Sequence, residues 1–169
     1  LSLQNRYLAP GEDNPVFLMV RENQVIYVRT EKSAPIYGIG VDIGTTTIAL
    51  SLVDLESGVV ENSLTLLNSQ RQFGADVISR IQKAAEGFIG ELQQCVRADI
   101  SRAVAELCLQ KRDSVITMVI AGNTTMMHLL LGLRADSLAL YPFNPVTNAK
   151  LELSTAELFG MFPIECDVT

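Results

Sequence analysis

Three β-rich runs, residues 36–41, 47–55 and 59–67, follow one another across loops of only a few residues. A parallel strand pair needs a crossover of a dozen or more residues, so strands this close in sequence must be antiparallel neighbours. The second connection, Glu56-Ser57-Gly58, reads as a tight turn. A helical stretch follows, with Val77, Ile78, Ile81, Ala84 and Ala85 spaced to form one buried face and Gly87 and Gly90 interrupting it. A second helix is expected over residues 91–111, with Leu92, Val96, Ile100, Val104, Leu107 and Cys108 on one stripe. Residues 115–121 are nearly all apolar, as expected of a strand covered on both faces. The long helical crossover before them makes this fourth strand parallel to the first. Gly122-Asn123-Thr124-Thr125 then opens another helix, capped by Asn123 or Thr124 and ending near Leu131-Gly132.

The expected fold is therefore α/β: a ribonuclease-H-like half-domain of three antiparallel strands, then helices and parallel strands in a mixed sheet. Residues 36–169 form this lobe. Residues 1–35 are expected to be a linker carrying a short hairpin, residues 16–20 against 24–28, with Arg21-Glu22-Asn23 turning between them. Ser33-Ala34-Pro35 marks the boundary. Beyond the last helix, residues 141–145 read as a rigid Pro-containing loop, 155–159 as a short helix and 161–168 as a final strand. The chain starts Leu1-Ser2 without an initiator methionine, which suggests a piece of a longer polypeptide.

Composition narrows the function. The 169 residues are 48% hydrophobic and 19% charged, ordinary for a globular domain. A net charge of −6 argues against a nucleic-acid binder, whose affinity comes largely from clustered Lys and Arg. No apolar run reaches the length of a membrane span, and no signal peptide is visible. The three cysteines, Cys95, Cys108 and Cys166, are widely spaced and form no C-x-x-C pair. They suit reduced cytoplasmic thiols and give no iron–sulfur or zinc site. His128 is the only histidine. On a helix as apolar as its own, a satisfied, half-buried histidine is the expectation, with Met118, Met126 and Met127 as core filling.

The segment with most chemistry in it is Asp42-Ile43-Gly44-Thr45-Thr46-Thr47, lying between the first two strands of the lobe. Asp42 at a strand end suits a place in the shell of Mg²⁺, which keeps most of its waters and takes few protein ligands. Gly44 offers positive φ and close backbone approach. The amides and hydroxyls of Thr45, Thr46 and Thr47 supply donors to a phosphate. No Walker motif occurs. As a bare tetrapeptide D-x-G-T also fits a plain turn, and its position between these two strands gives it weight. Gly122, Asn123 and Thr124 belong at the carboxyl end of the adjoining strand, where open α/β sheets place ligands, and the helix start there could receive an anion.

Val41-Asp42-Ile43-Gly44-Thr45-Thr46-Thr47 resembles the first phosphate motif of the acetate-kinase, sugar-kinase, heat-shock-protein and actin superfamily. That motif, the stretch 68–81 with its Phe73-Gly74-Ala75-Asp76-Val77-Ile78-Ser79-Arg80-Ile81, and Val119-Ile120-Ala121-Gly122-Asn123-Thr124-Thr125-Met126-Met127-His128 together resemble the reductive activators of corrinoid proteins. The resemblance runs from about residue 36 to 162. It implies an ATP- and Mg²⁺-dependent protein that returns the Co(II) corrinoid protein of a methyltransferase system to Co(I). It also implies a ferredoxin-like [2Fe–2S] domain upstream of this chain and a second lobe after it. On that reading the fragment alone is inactive, and its unmatched face offers a surface for homodimer formation. Asp76 and Arg80, four apart on the first helix, are expected to form an exposed ion pair. The rival functions are a small-molecule kinase of the same superfamily, which needs a general base for a substrate hydroxyl, and a non-catalytic module that keeps the fold.

Overall fold

The computed structural model describes residues 6–8, 16–21, 23–29, 35–109, 111–164 and 166–169. The first strands, β1 (Arg6–Leu8), β2 (Val16–Arg21) and β3 (Gln24–Arg29), form a small antiparallel sheet of their own. The expected hairpin is β2–β3, with Asn23 at φ 71° in its turn. Ser33 and Ala34 of the expected boundary lie outside the described residues. Tyr27 of β3 packs beside Ile36, Leu55 and Ile116, which link the small sheet to the larger one.

The main sheet is built from β4 (Tyr37–Ile43), β5 (Thr47–Asp54), β6 (Val60–Leu67), β7 (Val115–Gly122), β8 (Leu153–Ser154) and β9 (Asp167–Val168). Its order is β6-β5-β4-β7-β9-β8. β4, β5 and β6 are antiparallel, while β7 runs parallel to β4, as the connection lengths require. The result is a mixed α/β sheet.

One face of that sheet carries the core. Ile39, Val41 and Ile43 alternate inward on β4, Ile48, Leu50 and Leu52 on β5, and Met118 and Ile120 on β7. Helices α2 (Ile89–Cys108) and α3 (Thr124–Leu131) contribute to this core. Leu92, Val96, Ile100, Val104 and Leu107 of α2 are buried on the expected stripe. At about 1.5–3 kcal/mol for each such side chain, this burial outweighs any helix propensity in the segment.

Four expectations are corrected. Helix α1 (Val77–Lys83) buries Arg80 and Ile81, whereas Ile78 is 50% exposed and Ala85 is exposed. The helix is turned so that Arg80 faces inward, and Gly87, at φ 104°, kinks the chain before α2. Helix α2 stops at Cys108 rather than at residue 111, since Lys111 leaves the helix to meet Glu61 at 3.0 Å and the Tyr37 ring at 4.5 Å. β7 is open on its second face toward its carboxyl end, with Val119 48% exposed and Ala121 exposed, while Ile116 is buried near its start. The expected last strand shrinks to β9. After the short helix α4 (Thr155–Phe159), the Thr155 hydroxyl donates to Ile164 O at 3.0 Å and accepts from Cys166 N at 3.2 Å, holding that segment back as a loop.

Candidate functional site: a loop with its carbonyls turned inward

The turn from β4 to β5 occupies residues 44–46, and all its carbonyls have partners inside the protein. Gly44 O accepts from Asn68 Nδ2 at 2.9 Å and Thr45 O from Arg80 Nη2 at 2.6 Å. Thr46 O accepts from Asn68 N at 2.9 Å, and Thr47 O from Gly44 N at 2.9 Å. In a trans peptide the carbonyl and the following N–H point to opposite sides of the chain. Drawing the carbonyls of Gly44 and Thr45 inward therefore turns the amides of Thr45 and Thr46 outward. Among the described residues those two amides meet no acceptor. Two adjacent outward N–H groups are donors that an anion can meet.

Gly44 has a role other than the one expected. It is not among the glycines at positive φ. A Cβ there would stand 2.7 Å from Thr47 O, inside the closure of the turn. The absence of a side chain, not left-handed backbone, is what this position requires.

Asp42 lies in β4 opposite Ala49 of β5 and Ala121 of β7. Neither neighbour has a side chain long enough to reach across it, so the carboxylate stands exposed on the open face of the sheet. Among the described residues no three His, Cys, Asp or Glu side chains gather as a metal cage. A hard ion that keeps its waters needs only one carboxylate with phosphate oxygens, and Asp42 beside outward amides fits that donor set.

The loop is backed by a buried polar layer that the sequence reading missed. Asn68, Gln70 and Arg80 are each 0% exposed. Asn68 Oδ1 accepts from Gln70 N at 3.0 Å, and Gln70 Nε2 donates to Leu92 O at 2.9 Å. Arg80 Nε donates to Gly74 O at 2.9 Å, and its Nη1 lies 3.4 Å from both Gln70 Oε1 and Met126 Sδ. Ser69 fixes the start of the segment by donating from N and Oγ to the buried Asp99 carboxylate, at 2.8 and 2.7 Å. Asp99 is also held by Arg102 at 2.8 Å. The expected surface pair of Asp76 with Arg80 is absent. Asp76 is instead the N-cap of α1, in a reciprocal capping box with Ser79. The backbone N–H of Ser79 holds the Asp76 carboxyl below its ordinary range, whereas burial lowers the pKa of Arg80.

β7 brings the second group of expected residues alongside. Gly122 pairs with Ile43, and a Cβ on Gly122 would meet Ile43 O at 3.0 Å, so the two strand ends abut. Asn123 is the N-cap of α3, its side chain accepting from Met126 N at 2.9 Å. That oxygen is thereby committed to the helix, and Thr124 at the helix start is exposed. Met126, through its sulfur, joins α3 to the layer under the loop. His128 is fully rather than half buried. Its Nδ1 pairs with Thr124 O at 2.8 Å and its Nε2 accepts from Val146 N at 3.0 Å, which makes Nδ1 the protonated nitrogen of a neutral ring. It pins the segment after residues 141–145. A largely apolar cavity of about 440 Å³ opens beside Gly122 and Thr124, between α3 and residues 147–151. Cys95 is half-buried, while burial raises the thiol pKa of Cys108 and pushes that of Cys166 up to about 12. Among the described residues no helix is long and apolar enough to cross a membrane.

Comparison with known proteins gives the chain its family. The corrinoid activation enzyme RamQ of Eubacterium limosum is 40% identical over 120 residues, covering 67% of this chain and 20% of that protein. The solved structure of a reductive activator for corrinoid, iron–sulfur protein superposes with a TM-score of 0.75 at 28% identity, covering 92% of this chain and 26% of the other. The chain thus spans about a fifth to a quarter of the length of these relatives. Residues 37–168 match the family described as the RACo middle region, and the chain belongs to that family.

Proposed function

We propose that this chain supplies the first phosphate-binding lobe of an ATP-dependent reductive activator that returns a Co(II) corrinoid protein to Co(I). The observation that carries the proposal is the inward turn of the loop carbonyls, which leaves the Thr45 and Thr46 amides outward beside Asp42. The names of the two relatives point to the same activity and to a corrinoid iron–sulfur protein as partner. Strand order and crossover direction support a ribonuclease-H-like half, with residues 36–169 as the lobe and residues 1–35 as its join to a preceding region. The free thiols support a cytoplasmic setting.

In this reading Thr45 and Thr46 donate to phosphate oxygens through their amides, with Thr47 and Gly122–Thr124 along the same rim. Asp42 orients the water shell of Mg²⁺. When bound, Mg²⁺ would neutralise phosphate charge. The expected [2Fe–2S] domain, outside this chain, would supply the one electron that cobalt accepts in each Co(II) to Co(I) event. The lobe itself binds and orients, and a second lobe completes the site.

The test is Asp42→Asn in the natural full-length polypeptide. Mg-ATP hydrolysis should fall about 10²-fold or more, the usual scale for losing one electrostatic element of such a site. Formation of Co(I), followed by its absorbance in the presence of the corrinoid protein, should fall in parallel. Unchanged hydrolysis would remove Asp42 from the mechanism. Phosphorylation of a sugar or carboxylic acid from a substrate panel would favour the kinase alternative.

A further inference from the structure

Arg80 is the largest fully buried cation of the lobe, and no carboxylate lies within 4 Å of it among the described residues. Asp76, on its own helix, interacts with it electrostatically but stands exposed to solvent beyond ion-pair distance, with Oδ1 accepting from Ser79 N. The guanidinium is held by two backbone carbonyls, Thr45 O and Gly74 O, and by the neutral acceptors Gln70 Oε1 and Met126 Sδ. Burying a charge without an opposite charge is costly, and a neutral donor could satisfy a carbonyl at less cost. A cation kept in such a place implies a counter-charge that arrives from outside.

The only carbonyl of the outward-facing loop that Arg80 touches is that of Thr45, and the same peptide unit carries the Thr46 N–H. Polarising that carbonyl strengthens the adjacent amide as a donor, as hydrogen bonds in a chain reinforce one another in low dielectric. We infer that Arg80 is a positioning residue for polyphosphate: it locks the Thr45–Thr46 peptide with its amide outward and places an unpaired positive charge behind the loop. This rests on the phosphate-binding reading above and extends it, because the loop then selects ligands by their negative charge as well as by their shape. Arg80 does not touch the ligand, and it acts through the peptide and through its field.

The test compares Arg80→Gln and Arg80→Lys in the natural full-length polypeptide, with Mg-ADP binding measured by calorimetry and Tm beside it. Arg80→Gln should weaken Mg-ADP at least about 10-fold, and Arg80→Lys, which keeps the charge, no more than about threefold, on the scale of a charge-assisted bond. Adenosine, which has no phosphate, should lose nothing with either variant. If Arg80 were only glue, the two variants would weaken Mg-ADP alike and in step with Tm, and that result overturns the inference. Wild-type Mg-ADP binding retained in Arg80→Gln overturns it as well.

Should Arg80→Gln fail to fold, arginine-labelled wild-type protein provides the second measurement. The Arg80 Nε–Hε resonance should move on addition of Mg-ADP and stay still with adenosine. A stationary resonance while the Thr45 and Thr46 amides shift would refute the role. The two readings fail separately. If wild-type protein does not bind Mg-ADP and Asp42→Asn leaves turnover intact, both fall. If wild type binds and Asp42→Asn lowers turnover while Arg80→Gln binds normally, only the role of Arg80 falls.

Discussion

The two hairpin turns of the main sheet share β5 and little else. The turn from β5 to β6 is closed by its own residues except at Leu55, whose N donates to Ile36 O at 2.9 Å. Asp54 Oδ1 accepts from Glu56 N at 2.8 Å and Ser57 N at 3.2 Å, Gly58 N donates to Asp54 O at 2.8 Å, and Gly58 takes φ 74°. The amides of residues 56–59 are therefore consumed by the carboxylate and carbonyl of Asp54 and the hydroxyl of Ser57. The turn from β4 to β5 does the reverse. Its carbonyls are satisfied by Asn68 and Arg80, far along the chain, and the amides of Thr45 and Thr46 are left outward. A turn that needs distant donors to stay open costs more to build than one that caps itself. On the proposed function, phosphate binding is what that cost serves.

That contrast can be broken at its glycines first. Gly44→Ala places a methyl 2.7 Å from Thr47 O and should cost about 2–4 kcal/mol and abolish Mg-ADP binding, as strain at a fixed backbone contact does. Gly58→Ala meets no atom within 4 Å and carries only the left-handed backbone penalty, about 1 kcal/mol, with binding unchanged. Chemical denaturation and calorimetry on both variants check the pair. Equal effects on binding would erase the distinction between the turns.

The next largest effect is at the donors. Asn68→Ala strips the side-chain partner from Gly44 O and should destabilise by about 1–3 kcal/mol, the cost of a buried polar group left unpaired. It should also loosen Mg-ADP. Asp54→Ala, in the self-capped turn, should lower Tm by no more than about 3 °C and leave affinity unchanged. Loss of affinity in Asp54→Ala but not in Asn68→Ala would invert the assignment of the two turns.

How much of this was readable beforehand follows from the range of each interaction. The antiparallel start and the parallel β7 follow from loop lengths, and the stripe of α2 follows from period, whereas β1 and β8 are too short to carry a strand pattern. Asp42, Gly44 and the threonines stood out as candidates because they are contiguous. Arg80 was not, because an arginine on a short helix reads as solvated, and its acceptors sit at Thr45, Gly74 and Gln70. Asn68 and Gln70 lie in a short polar segment that reads as loop, and only the fold puts them under the turn. The open face of β7 was hidden for another reason. Val119 and Ala121 are apolar, so the strand shows no alternation although one side is exposed. The one available signal was the clustering of Asn68, Gln70, Gly74 and Arg80 inside a stretch already singled out by resemblance.

The smallest effects concern protons and thiols. The backbone amides of Glu56 and Ser57 lower the Asp54 pKa in the self-capped turn, and Ser79 N lowers that of Asp76 in α1. A depressed folded pKa contributes stability above the ordinary carboxylate range. That contribution is lost as pH falls through the folded values, so denaturant midpoints should decline below about pH 4. Cys166 has the opposite sign. Its thiol is raised to about 12 in the fold, so it stabilises below the ordinary thiol pKa and loses that contribution as pH rises from about 9 toward 12. Cys166→Ser should flatten the alkaline limb of a stability–pH curve, and an unchanged limb would contradict the cause given. In native protein a thiol reagent should label Cys95 first, with Cys108 and Cys166 reacting only on unfolding.

The most direct test of the outward amides is an ¹⁵N amide titration of this chain with Mg-ADP to ~10 mM, since half a site should bind at roughly millimolar Kd. The account predicts shifts concentrated at Asp42–Thr47 and Gly122–Thr125, largest for the amides of Thr45 and Thr46, with Glu56, Ser57 and Gly58 still. Shifts spread equally over both turns, or absent from Thr45 and Thr46 while other residues respond, would contradict it.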